Sequence, residues 1–198
     1  MNKVDTIHWS ASEFFRRLTE QNKLAKMNGF RFCKVSGLSG FEEAVSAMQN
    51  TRAFVCVSDI SQGTTNLDNT PHQEKVKTVF MAVRHPIDDQ QARESCMNLM
   101  HELFRQFMSV LIMEKTKLQQ QCIYIDEQIR FQEIDRYFFS GCAGAYFQIT
   151  VNKYIDLRYN TDEWLSPISS WESPVQYGAV SQHPSLSVER PTISNPLP

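Results

Sequence analysis

From Ala145 to Leu157 the chain alternates with a period close to two. Ala145, Phe147, Ile149, Val151, Ile155 and Leu157 share one side; Tyr146, Gln148, Thr150, Asn152, Tyr154 and Asp156 share the other. Successive side chains of a strand point to opposite faces. This segment therefore predicts a strand with one apolar and one polar face, in an antiparallel sheet covered on one side. Such a strand needs partners, and the chain offers several. Phe30 to Val35 predicts a short strand. Arg52 to Asp59 carries the run Ala53-Phe54-Val55-Cys56-Val57, which predicts a central strand covered on both sides. Val76 to Arg84 predicts another. Ile123 to Glu133 alternates as well, with Ile123, Ile125, Ile129 and Phe131 on one face.

Helices are marked by their caps. Ser10 and Glu13 form a capping box, and Phe14, Phe15, Leu18, Leu24 and Met27 keep helical spacing up to a stop at Asn28-Gly29. Ser39 and Glu42 repeat the box before Phe41 to Gln49. His85-Pro86-Ile87-Asp88 ends a strand and predicts a cap at Asp88 for a helix running to about Leu118. Thirty residues of helix span about 45 Å. Its stripe is Ala92, Cys96, Leu99, Met100, Leu103, Phe104, Phe107 and Leu111, and from Phe107 to Met113 it is apolar nearly all round. Strands and helices do not alternate strictly. An α+β class follows: an antiparallel or mixed sheet with a long helix packed on one face.

Two segments offer no core. Ser58 to Glu74 is polar and predicts a long loop. After Trp164, six of the eight prolines fall between Pro167 and Pro198, mixed with Ser, Gln and Val. The expected organisation is a globular domain over 1–165 and an extended Pro-rich arm over 166–198. The arm still carries aromatics, Trp171 and Tyr177 among them, which a solvated linker does not need.

Composition narrows the function classes. Twenty Lys+Arg against 22 Asp+Glu give a net charge of −2, which argues against bulk attraction to nucleic acid or an anionic membrane. No apolar run approaches the roughly 18–20 residues of a membrane span, and residues 1–12 lack a signal-peptide pattern. Five cysteines at 33, 56, 96, 122 and 142, with no CxxC, read as free thiols in a reducing compartment. Phosphate-loop and GxGxxG motifs are absent, and the five histidines and five cysteines show no metal-ligand spacing. Ser140-Gly141-Cys142-Ala143-Gly144 has the texture of a nucleophile elbow, but it runs into a strand rather than a helix. Its glycines read as a tight turn or bulge. Tyr137-Phe138-Phe139 reads as a core or interface cluster rather than a base-stacking platform, because few basic residues interleave with it. Catalytic residues, cofactors and metals are therefore not expected.

A polar loop, an over-apolar helix end and a Pro-rich arm bury little within one subunit. Together they suggest a subunit that completes itself against neighbours. The expected contact residues are Gln62, Asn66, Leu67, Asp68 and His72 in the loop, Met108 and Ile112 on the helix end, and Trp164, Trp171 and Tyr177 beyond the sheet.

The arrangement resembles the tail-terminator and tail-completion (neck) proteins of tailed bacteriophages over about residues 10–165. Three features carry the resemblance. The N-terminal helix is followed by Phe41–Gln49 and the Phe54-Val55-Cys56-Val57 strand. Val76–Arg84 leads through Pro86-Ile87-Asp88-Asp89 into a long helix. The closing strand Phe147–Leu157 ends in Asp162-Glu163-Trp164. The resemblance implies an α+β subunit that forms a ring, commonly a hexamer. The ring caps the tail tube and joins it to the head connector, in a virion assembled in the bacterial cytoplasm. Its implied partners are copies of itself, the tail tube and neck or connector proteins, with no membrane, no sequence-specific nucleic acid, no cofactor and no chemistry. The alternatives are a subunit of a bacterial contractile injection apparatus, or a stand-alone interaction module. An unrecognised enzyme has less support.

Overall fold

Ser10 starts the first helix, α1 (Ala11–Gln21): its Oγ accepts the Glu13 N–H at 3.4 Å. The computed structural model describes residues 9–47, 50–59, 61–68, 70–86, 88–134 and 141–167, with the side chains of 37–39 and 45 outside that set. The Glu13 carboxylate pairs with Arg16 at 2.7 Å instead of closing a capping box. The sequence predicts one helix up to Met27. The structure breaks it at Asn22, whose Oδ1 accepts the Ala25 N–H and so caps a separate turn, α2 (Lys23–Met27). Asn competes locally for backbone donors, and here that competition ends one helix and begins the next. Gly29, at φ +71°, turns the chain into strand β1 (Phe30–Val35).

Helix α3 (Gly37–Ala47) begins before Ser39, so Ser39 lies within the helix rather than at its cap. Met48 and Gln49, placed in this helix from the sequence, lie outside the described residues. Strand β2 (Ala53–Ser58) follows, parallel to β1 and buried throughout, the central strand its composition implies. The predicted loop from Ser58 to Glu74 holds a strand instead. β3 (Gln62–Asn66) pairs antiparallel with β4 (His72–Arg84), from Gln62↔Val76 to Asn66↔His72. The reason is physical: neither strand buries a side chain here, so no apolar alternation marks them. Backbone pairing and the strand-favouring Thr64 and Thr65 hold the hairpin.

The long helix, α4 (Gln90–Gln119), is capped by Asp89, not Asp88: Asp89 Oδ1 accepts the Ala92 N–H at 2.8 Å. Asp89→Ala should therefore lower stability by about 1 kcal/mol and the melting temperature by about 2–4 °C. Asp88→Ala should leave both unchanged when thermal melting is followed by circular dichroism.

The expected strand from Ile123 to Glu133 is two strands, β5 (Ile123–Ile125) and β6 (Phe131–Ile134). Both pair with β7 (Cys142–Tyr154). Ile125 faces Val151 and Phe131 faces Phe147, so residues 126–130 oppose only 148–150. The two extra residues must loop out, and the ladder breaks there. Tyr137-Phe138-Phe139 lies outside the described residues.

These strands form one mixed seven-stranded sheet in the order β1-β2-β4-β7-β5, with β3 beside β4 and β6 beside β7. The long helix packs across one face. Phe14 and Phe15 from α1, and Met100, Leu103, Phe107, Leu111 and Leu118 from α4, close over Val55, Val57, Val79, Met81, Phe147 and Ile149. The opposite face is covered too, which the closing strand's polar side does not announce. Phe41 of α3 stacks on Phe80 at 5.0 Å, beside Phe54, Cys56 and Ala82, and Tyr146 packs at the edge of this second core. The chain divides into two contact units, 1–157 and 158–198. In the second, a 3-10 turn (Thr161–Glu163) is capped by Asn160, whose Oδ1 accepts the Asp162 N–H. Residues 168–198, most of the predicted arm, lie outside the described set.

Candidate functional site

Backbone pairing brings five of the expected contact residues onto one hairpin. Gln62 and Asn66 begin and end β3; His72 opens β4 opposite Asn66. Leu67 and Asp68 form the tip, where Asn66 Oδ1 accepts the Asp68 N–H at 2.9 Å and Leu67 is 80% exposed. The His72 ring nitrogen Nδ1 lies 3.0 Å from the Thr70 carbonyl. From Asp59 to Thr78 no described side chain is buried.

The apolar end of α4 splits by face. Phe107 and Leu111 are buried and Met108 packs partly against the main core. Ile112 and Met113 stand 68% and 64% exposed, with Val110 half-exposed beside them. Trp164 is half-exposed after the 3-10 turn, its ring 6.2 Å from that of Tyr159. Trp171 and Tyr177 lie outside the described residues.

A cavity of about 290 Å³ was not visible in the sequence. It opens where the helix-covered face of the sheet runs on past its helices. Odd-numbered positions of β4 pass from the core residues Val83, Met81 and Val79 to Lys77, Lys75 and Gln73. In β7 they pass from Ile149 to Val151 and Lys153. Lys34 of β1 joins them, while Trp9, Ala11 and Ile123 form apolar wall. Among the described residues, four lysines thus line one cavity against a single acid, Asp59. Lys77 Nζ donates to the carbonyls of Ser58 and Asp59, at 3.0 and 2.6 Å. Burial pushes its pKa down; Asp59 pulls it back up, and the ammoniums of Lys75 and Lys34 push it down again. The only sequence trace of this cavity is the Lys75-Val76-Lys77 alternation, and its meaning depends on which way the strand faces.

Several described groups with catalytic potential are engaged within the fold. Gly141, at φ +79°, makes the turn into β7, and Cys142 begins that strand fully buried. Burial pushes its thiol pKa up, away from a reactive thiolate. His101 Nε2 meets Glu133 at 3.0 Å, and Glu127 pairs with Lys115 at 2.8 Å. Cys33 and Cys56, both free thiols, sit opposite each other across the β1–β2 ladder. Among the described residues no group of three His, Cys, Asp or Glu side chains is placed to hold a metal ion, and no helix is long and apolar enough to cross a membrane. Compared with known proteins, the chain matches no protein-family model and no curated protein sequence.

Proposed function

We propose that the chain is a structural assembly subunit of a phage tail or neck, in which copies close into a ring that caps the tail tube and meets the head connector. The observation that carries this reading is the β3–β4 hairpin: a regularly paired ladder in which no described side chain between Asp59 and Thr78 is buried. Its β4 half is held by β7, but among the described residues β3 pairs only with β4 and leaves its outer edge open; an open strand edge with bare faces is a surface that contact with a neighbour would cover. A closed ring needs two different surfaces on each subunit, and the hairpin and the exposed aliphatic end of α4 are two such surfaces. The element order that resembles tail terminators supplies the assignment to a tail.

The test is negative-stain electron microscopy of the purified protein at high concentration, alone and with tail tubes. Closed rings, or rings seated on tube ends, are the expected result. Ile112→Glu together with Met113→Glu should abolish ring formation and leave the melting temperature within about 2 °C, since both side chains are exposed. Absence of wild-type rings both in solution and on tube ends overturns the reading.

A further inference from the structure

We propose that the lysine-lined cavity receives the acidic, apolar-ended segment Asp162-Glu163-Trp164-Leu165 of a second copy of this chain. The proposal rests on the ring reading and identifies one pair of surfaces that would close the ring.

Two complementarities carry it. The first is charge. Lys34, Lys75, Lys77 and Lys153 line one cavity in which Asp59 is the only acid among the described residues, in a chain whose overall charge is −2. The local balance among the described lining residues is thus positive although the chain as a whole is slightly acidic. Two ammoniums, on Lys34 and Lys75, are on exposed side chains, and neither has an ion pair among the described residues. The segment at 162–163 offers two adjacent carboxylates on an exposed turn.

The second is apolar. The cavity is not uniformly polar: Trp9, Ala11, Ile123 and Val151 form part of its lining. Directly after its two acids, the segment carries Trp164, half-exposed, and Leu165, fully exposed. An inorganic anion would satisfy the lysines and leave the apolar wall wet. A peptide with acids followed by Trp-Leu meets both. Cavity and segment are also different surfaces. Pairing them between copies is a head-to-tail contact, the kind that propagates around a ring. Charge complementarity of this sort fixes partner and register as well as speeding encounter.

The experiment is sedimentation velocity on the full chain over a range of concentration and salt, with charge reversals on each side. K34E/K75E and D162K/E163K should each weaken self-association on the order of tenfold or more, with wild-type melting curves. An equimolar mixture of the two variants should restore association, because each acidic cavity then meets a basic segment and each basic cavity an acidic one. Raising salt should weaken the wild-type contact. Should either reversed variant fail to melt cooperatively, the neutral pairs K34Q/K75Q and D162N/E163Q replace it; they should weaken association in the same direction. Rings that persist in both reversed variants overturn the docking while leaving the ring reading intact. Restoration only when all four substitutions share one chain, and not on mixing, places the segment in its own cavity and also overturns it. A wild-type chain that stays monomeric at every concentration overturns the docking; the tube-end images then decide the ring reading separately.

Discussion

Phe147→Asp should abolish cooperative folding. Phe147 is 1% exposed in the middle of β7, its ring 5.0 Å from that of Phe104 and 5.7 Å from that of Phe15. It therefore joins both helices of the main face to the sheet. Removing a buried phenyl ring costs about 3–5 kcal/mol. The carboxylate that replaces it would sit among Phe15, Phe104, Val79 and Phe131, and burying a charge in such an apolar setting adds several kcal/mol more. The sum is comparable with the whole stability of a domain, about 5–15 kcal/mol. The expected outcome is an insoluble or non-cooperative chain by thermal and urea unfolding, while Phe147→Leu stays folded at a cost below about 1.5 kcal/mol. A soluble Phe147→Asp protein with a normal transition would mean that this side chain faces water and that the register of β7 is wrong.

Gly144→Ala is the second large effect, and it looks mild on paper. Gly144 lies in a regular ladder between Ala82 of β4 and Ile134 of β6. A Cβ there would collide with the Met81 carbonyl oxygen and lie 2.9 and 3.0 Å from the Cα and Cβ of Ala82. These atoms are backbone or next to it, so relief requires β4 and β7 to separate along their longest pairing. We expect a loss of about 3 kcal/mol, at the upper end for overpacking. The entropy that alanine removes from the unfolded chain, about 0.4–1 kcal/mol, does not offset it. Gly40, inside α3, is the control. Its Cβ would meet Ser36 Cβ at 3.5 Å and the Val35 carbonyl carbon and Cα at 3.6 and 3.8 Å, all ordinary contacts, and Gly40→Ala should stabilise by roughly 0.5–1 kcal/mol. Urea unfolding of the two variants checks both signs. Equal stabilities would show that β4 and β7 are not this close at Gly144.

The contrast between these glycines shows what the sequence could convey. Ser140–Gly144 was legible as a turn running into a strand, and Gly141 makes that turn. The close approach at Gly144 depends on β4 lying beside β7, which no local pattern encodes. The long helix was legible to within a residue or two, because thirty residues with a continuous apolar stripe admit little else. Its cap was misplaced by one residue, since Asp88 and Asp89 are chemically equivalent until the chain's direction after Pro86 decides which carboxylate reaches the first turn.

Sequence by itself determined the α+β class, the central position of β2, and the strand β7 with Phe147 and Ile149 in the core. Each is written in local periodicity, and burial is the physical force behind periodicity. Tertiary structure alone decided the rest. It turned a polar loop into the β3–β4 hairpin, because backbone pairing needs a partner strand but no apolar side chains. It put α3 over the second face of the sheet. It also gathered Lys34, Lys75, Lys77 and Lys153 from three strands into one cavity. Charges more than a hundred residues apart in the chain have no joint signature in it; they become one electrostatic feature only when parallel and antiparallel pairing sets their strands side by side.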